Sequence, residues 1–222
     1  MDHRTTILMT EFVTHDTKRF IVSRPDNLQY EPGQGVEIAV DQEDWRQEGR
    51  PFTPTSLTDD KVLEFTIKRY PEHEGVTARL HNLGPGADLL MSEPFGTITY
   101  KGAGVFIAAG AGITPFLAIF RKLNAENALR GNQLIFSNKT AADIICEKEL
   151  RHYFVDKCVF TSTRETKPGY DNRHVDRNFL EEKIDTFNQY FYVCGPDEFV
   201  ENVNEILREA GADPQSLVFE EG

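Results

Sequence analysis

The sequence predicts an antiparallel β-barrel followed by a parallel α/β domain, and three observations carry that expectation. Before Gly102, short runs of branched and aromatic residues alternate with Pro, Gly and Asp turns. After Gly104, apolar strands alternate with amphipathic helices, the pattern of a parallel sheet. A chain of 222 residues also exceeds the size at which one hydrophobic core is comfortable. The domains are therefore expected at 1–101 and 102–222. No internal repeat, low-complexity tract or long linker intervenes. The two are expected to pack directly and leave a ligand cleft at their seam.

In order, Ile7 to Val13, Lys18 to Val22, Gly35 to Val40 and Val62 to Tyr70 read as strands, with turns such as Glu31-Pro32-Gly33 between them. Their spacing suggests a compact barrel or sandwich. A short helix starting at Gly75-Val76-Thr77 carries Leu80 and Leu83 at helical spacing. The second domain reads as strand Val105 to Ala109, helix Pro115 to Leu129, strand Gln133 to Phe136 and a helical stretch from Ala141. Strand Cys158 to Thr161, a helix near Asp176 to Lys183 and strand Tyr190 to Cys194 follow. The last helix sets Phe199, Val203, Ile206 and Ala210 on one side.

Composition excludes several classes. A formal net charge of -12 lacks the basic footprint of a nucleic-acid binder, although it leaves room for a local basic patch. No apolar run approaches a membrane span, and Asp2, His3 and Arg4 open the chain where a signal peptide would be apolar. Cys146, Cys158 and Cys194 form no CxxC motif or ligand cluster, so no metal, iron-sulfur or disulfide framework is expected. A monomer in a reducing cytoplasm fits these features.

The chemistry concentrates at turns. Gly110-Ala111-Gly112-Ile113-Thr114-Pro115 follows a strand and opens a helix. The glycines let backbone approach a diphosphate, the helix start favours an anion, and Pro115 suits a first turn that needs no N–H. An ordinary glycine turn would read the same way. Cys194-Gly195-Pro196-Asp197 ends another strand and, in a doubly wound sheet, would point at the same region, although a strand cysteine is commonly core. In the first half, Arg50-Pro51-Phe52-Thr53-Pro54 puts a cation, a flat ring and a hydroxyl on a proline-stiffened segment. Alternation would place Arg50 and Phe52 on one face and Thr53 on the other; a plain edge strand is the competing reading. Gly75-Val76-Thr77 offers a further anion site, and Arg50, Lys68, Arg69 and Thr77 could together hold a diphosphate.

In the order RPFTP, IKRY, GVTARL, EPFG, AAGAGITPF, NKTAADI and CGPDEF, these motifs resemble the plant-type ferredoxin-NADP reductase superfamily, and most closely its flavodoxin reductases and microsomal NADH-dependent cytochrome reductases. The similarity spans almost the whole chain. It implies that the barrel binds FAD and the α/β domain a nicotinamide nucleotide. By resemblance, Arg50 contacts the flavin diphosphate, Phe52 replaces the usual tyrosine against the isoalloxazine, and Thr53 reaches flavin N5. Lys68 and Tyr70 fall where that family lines the flavin, Pro51 and Arg69 join them as cofactor-binding candidates, and Gly75, Val76 and Thr77 match the diphosphate-binding helix start. Gly110, Gly112, Thr114 and Pro115 match the nucleotide diphosphate turn. Ser137, Asn138 and Lys139 belong to the same nucleotide site, and Cys194, Gly195 and Pro196 stand beside the nicotinamide. Phe219 falls near the terminal aromatic of some members.

The resemblance implies a hydride passing from nicotinamide to FAD, and the protein then mainly supplies stacking and alignment. Thr53 and Cys194 are its catalytic candidates. His81, His152, His174 and the terminal Glu220-Glu221 pair are expected to be structural or surface groups, proton relay by a terminal carboxylate being the alternative. Thr163 stands where the NADH-dependent cytochrome reductases carry Asp, and with Arg164 and Lys139 nearby NADPH is favoured, NADH staying open. Without an iron-sulfur pattern, electrons should leave to a separate carrier, ferredoxin or flavodoxin by resemblance. Arg46, Arg50 and Arg79 could form a basic face for such an acidic partner. A quinone, free flavin or ferric complex is the alternative acceptor. A non-catalytic flavin or nucleotide sensor, or a docking subunit, is the rival class.

Overall fold

Periodicity of two along the first hundred residues becomes a barrel in the computed structural model, which describes residues 2–70, 74–96 and 98–219. The strands are β1 (His3–Phe12), β2 (Thr17–Ser23), β3 (Val36–Val40), β4 (Arg50–Phe52), β5 (Val62–Lys68) and β6 (Asp88–Met91). Every neighbouring pair runs antiparallel, in the order β4-β3-β6-β1-β2-β5. Leu63, Phe65 and Ile67 of β5 are buried at alternate positions, as a strand with one face on the core requires. Helix α1 (Val76–His81) adds Val76 and Leu80, one helical turn apart, to the same core.

The ends of this sheet nearly meet. Just after β4, Pro54 bridges Phe65 of β5, and the Thr55 N–H donates to the Glu64 carbonyl at 2.7 Å. Closure of this kind removes exposed edges. Pro51 and Pro54 stand at the short strand and at the seam, where a missing N–H costs least.

The later strands are β7 (Gly104–Ala109), β8 (Gln133–Asn138), β9 (Cys158–Ser162), β10 (Tyr190–Cys194) and β11 (Leu217–Val218), all parallel, in the order β11-β10-β7-β8-β9. The helices are α2 (Thr114–Ala125), α3 (Glu147–Phe154), α4 (Arg177–Lys183) and α5 (Asp197–Glu209). From β7 the chain steps outward through β8 to β9 and then crosses to β10 on the other side. The strand order therefore reverses between β7 and β10, the point where open α/β sheets bind ligands. Val203, Ile206 and Leu207 of α5 are buried on the sheet. Along the outer side of β9, Thr161 bridges Asp171, with Ser162 N–H to the Asp171 carbonyl at 2.7 Å and Asp171 N–H to the Phe160 carbonyl at 2.9 Å.

Two compact units result: Met1–Gly96 with Thr114–Lys122, and Thr97–Ile113 with Leu123–Gly222. Most of α2 thus belongs to the barrel unit, although the turn that precedes it belongs to the sheet unit.

Several elements differ from the sequence expectation. Strand β6 was not anticipated, because four residues between Gly86 and Pro94 give too short a signal. The expected helix to Leu129 ends at Ala125, where Asn127 turns left-handed at φ 55 and the Ala128 N–H returns to the Leu123 carbonyl. The helical stretch expected from Ala141 is a single tight turn, closed by a reciprocal Thr140–Asp143 capping box, before α3 starts beyond the left-handed Cys146.

Candidate functional site

Within the barrel unit, β4 carries the first group of candidates. Arg50 lies opposite Ile38 and Phe52 opposite Val36 across the β3–β4 ladder. Both partners are buried, so Arg50 and Phe52 share the inward side, with Arg50 exposed at the rim and Phe52 half-buried against the barrel core. Thr53 lies beyond the strand, held between β4 and the Pro54 seam. Its hydroxyl oxygen is 3.9 Å from where a Cβ on Gly35 would stand. Gly35 is tied by two 2.8 Å backbone hydrogen bonds to Phe95, whose ring is exposed. That ring stands one bridge away from the Thr53 segment. Phe95 belongs to the EPFG motif, and four residues of sequence carry no signal of its exposure.

Lys68, Arg69 and Tyr70 close β5, and Arg69 and Tyr70 are exposed. Lys68 Nζ meets Asp16 Oδ2 at 3.0 Å, and the Arg69 N–H donates to the Asp16 carbonyl at 2.8 Å. Burial works to raise the Asp16 carboxyl, but hydrogen bonds from Lys68, Thr14 and Thr17 outweigh it and hold the group below its ordinary value. Lys68 thus carries a resident counterion. Gly75 precedes α1 in extended conformation, without a side-chain cap and with open space within 4 Å of a built Cβ. Of the proposed basic trio, Arg46 is engaged by Asp41 at 2.6 Å and Arg79 by the Gln42 amide oxygen, while Arg50 Nη1 donates to the Gly49 carbonyl at 2.7 Å. His81 is buried with Nε2 2.8 Å from the Ile67 carbonyl, and burial lowers its pKa; His152 and His174 are exposed.

Within the sheet unit, the turns after β7 and β10 stand side by side, because Ala108 and Cys194 are register partners. Gly110 adopts φ 53, and a Cβ there would meet nothing within 4 Å. Gly112 is the opposite case: a Cβ would lie 2.4 Å from the Cys194 carbonyl oxygen, so only glycine lets the two turns touch. At Gly195, a Cβ would crowd Ala109 and Phe199 at 3.0 Å. Cys194 is half-buried, and Pro196 caps α5. Thr114 opens α2 with Pro115 in its first turn.

At the next strand ends, Ser137 accepts from Thr161 Oγ1 at 3.1 Å. Thr163 spends its hydroxyl on the Asn138 carbonyl at 3.3 Å, with its N–H on the same oxygen at 3.0 Å. The Arg164 N–H donates to the Lys139 carbonyl at 2.8 Å, which sets these two exposed cations on adjoining strand ends. The residue after Arg164, Glu165, is tied to the Ala141 N–H at 2.5 Å. Asn138 is buried and its side-chain oxygen has no hydrogen-bond partner among the described residues. Open space at the Gly110 and Gly75 Cβ positions fits close approach of a diphosphate-bearing ligand in each unit, and in the sheet unit the orphaned Asn138 oxygen suits a ligand hydrogen-bond donor. Phe219 packs on the core of the sheet unit with the Arg208 guanidinium 6.0 Å from its ring. Glu220 and Glu221 lie outside the described residues.

Two family models match. Residues 4–100 match the oxidoreductase FAD-binding domain, and residues 106–205 match the oxidoreductase NAD-binding domain. The chain is 28% identical over 212 residues to an NADH-cytochrome b5 reductase of Vanderwaltozyma polyspora, covering 86% of this chain and 69% of that protein. It is 25% identical over 234 residues to the reductase component of a propane 2-monooxygenase of Mycolicibacterium goodii, covering 98% and 66%. Across the first curated relatives it spans 44–69% of their length. The FAD/NAD-binding domain of a Vibrio cholerae nitric oxide dioxygenase shares the fold at TM-score 0.87 and 22% identity, over 99% of this chain and 98% of that one.

Proposed function

The chain belongs to the ferredoxin-NADP reductase superfamily, and from that premise we propose that it is an FAD-dependent NAD(P)H oxidoreductase that passes electrons to a separate acceptor. The observation that carries this reading is the contact of two glycine turns at the β7/β10 strand reversal, where Gly112 clears the Cys194 carbonyl. FAD, when bound, would supply a hydride acceptor for the nicotinamide and a route for electrons onward. The chain's own residues orient and neutralise. Arg50 and the Gly75–Thr77 helix start would hold the flavin diphosphate, Phe52 would pack against the ring, and the Thr53 hydroxyl would address N5. The amides of Gly110 to Gly112 would bind the nucleotide diphosphate, Asn138 would offer its orphaned oxygen, and Cys194 with Gly195 would flank the nicotinamide.

NADPH is the proposed donor. Lys139 and Arg164 present two cations from adjoining strand ends, and Glu165, the acid beside them, is occupied on a backbone amide. NADH is the alternative, since the Vanderwaltozyma relative is named for it. For the acceptor, relatives named for cytochrome b5 and for an oxygenase system support a protein carrier, with ferredoxin or flavodoxin among the candidates. The pairing of Arg46 with Asp41 favours a small-molecule acceptor as the second reading. A cytoplasmic site of action is proposed on the spacing of Cys146, Cys158 and Cys194, which form no CxxC motif; among the described residues no helix is long and apolar enough to cross a membrane. The test is an absorbance spectrum of the purified protein followed by anaerobic titration with each nucleotide. A flavin spectrum bleached faster by NADPH is expected; no bleaching by either nucleotide would reject the enzyme.

A further inference from the structure

One cation on α2 has no place in the flavin or nucleotide assignments. Arg121 Nη1 donates to Glu64 Oε1 at 2.6 Å and to the Thr55 carbonyl at 2.6 Å. The Thr55 hydroxyl donates to the same Glu64 oxygen at 2.7 Å. Arg19 approaches the other Glu64 oxygen at 3.5 Å. The Arg121 and Glu64 side chains are only 16% and 14% exposed, so solvent screens them little and their geometry is enforced. All these residues lie in the barrel unit, to which Thr114–Lys122 belongs.

What this cluster joins gives it meaning. Thr55 is two residues past Thr53, with the Pro54–Phe65 bridge between them, so the Thr55 carbonyl anchors the segment whose hydroxyl addresses the flavin. At its other end α2 begins at Thr114, the residue after the Gly110–Ile113 turn. We propose that Arg121 is a positioning residue for hydride transfer: through Glu64 and the Thr55 carbonyl it holds the Thr53 segment in place on α2, within the barrel unit. Hydride transfer depends steeply on alignment, and displacement of about 1 Å remote from the chemistry can cost about 100-fold in rate. This inference rests on the proposed flavin and nucleotide reading.

The test compares the FAD-bound protein with Arg121→Met, Arg121→Lys and the double variant Glu64→Gln/Arg121→Met, mixed rapidly and anaerobically with saturating NADPH and NADH. Expected for Arg121→Met is a flavin reduction rate at least about tenfold lower, with FAD content and nucleotide Kd within about twofold of the parent. The long-wavelength absorbance of stacked nicotinamide and flavin should weaken in parallel. Arg121→Lys, which keeps the charge but not the forked geometry, should fall between. The double variant, relieved of a Glu64 charge left with only the 3.5 Å approach of Arg19, should regain thermal stability but not rate. A parental rate per bound flavin in the Met and Lys variants overturns the proposal, as does recovery of rate with stability in the double variant. No bleaching of the parent protein overturns the function itself, and the role of Arg121 with it.

Discussion

At Gly112 an added methyl group has nowhere to go, since the Cys194 carbonyl oxygen would lie 2.4 Å away and both partners are backbone. Gly112→Ala is therefore expected to cost about 1–3 kcal/mol in overpacking and to raise the nucleotide KM by more than Gly110→Ala does. Thermal melts and steady-state kinetics on both variants check this; equal behaviour would count against the touching turns. At Thr163 the hydroxyl already sits on the Asn138 carbonyl, beside the exposed Lys139 and Arg164. Thr163→Asp would put a negative charge where the proposed phosphate binds, so kcat/KM for NADPH relative to NADH should fall at least about tenfold. An unchanged ratio removes the phosphate site from this corner. Among the thiols, burial pushes Cys158 up to about 12, only partly offset by Arg151. Its thiolate is scarce at neutral pH, and mass spectrometry after brief iodoacetamide treatment at pH 8 should find Cys158 unmodified in the folded protein.

Helix α1 ends in His81, which burial keeps neutral despite its hydrogen bond to the Ile67 carbonyl. The folded pKa lies below the ordinary 6.5. As pH falls through 6.5, the unfolded chain takes up a proton that the folded chain resists, so stability declines on the acid side. Melts from pH 7.5 to 5 should show this slope, reduced in His81→Gln; an equally steep variant would place the acid sensitivity elsewhere. Elements were legible where pattern and length were clear: β2 and β5 follow from alternation, β7 and β10 from short apolar runs, and α5 from helical spacing. They were illegible where tertiary contact decides. The four residues of β6 and the three of β4 gain their strand identity from β1 and β3, not from their own pattern. The glycine turns could be read as phosphate cradles, because glycine before a helix has a physical meaning on its own. Arg121 could not, because nothing along the chain says that a cation among the apolar residues of α2 will find Glu64, nor that Lys68 will be taken by Asp16.

For the molecule as a whole, the formal charge of -12 sets the terms of any encounter. Arg46 is paired to Asp41, and the positive charge of Arg79, whose partner Gln42 is neutral, is small together with that of Arg50 against the net -12. Reduction of an acidic carrier should therefore speed up as salt rises from about 0.01 to 0.15 M, while reduction of a neutral quinone should stay flat. A rate that falls with salt would reveal a basic docking face built from other residues. The strip at Tyr170–Asp171 that runs beside β9 has a consequence of its own. A bare outer strand offers its N–H and C=O groups to any passing chain, and here Asp171 has already taken the Ser162 N–H and the Phe160 carbonyl. Guarded in this way, the sheet should resist stacking into fibres at high concentration. Clipping the loop at Lys167–Gly169 should uncover a sticky rim.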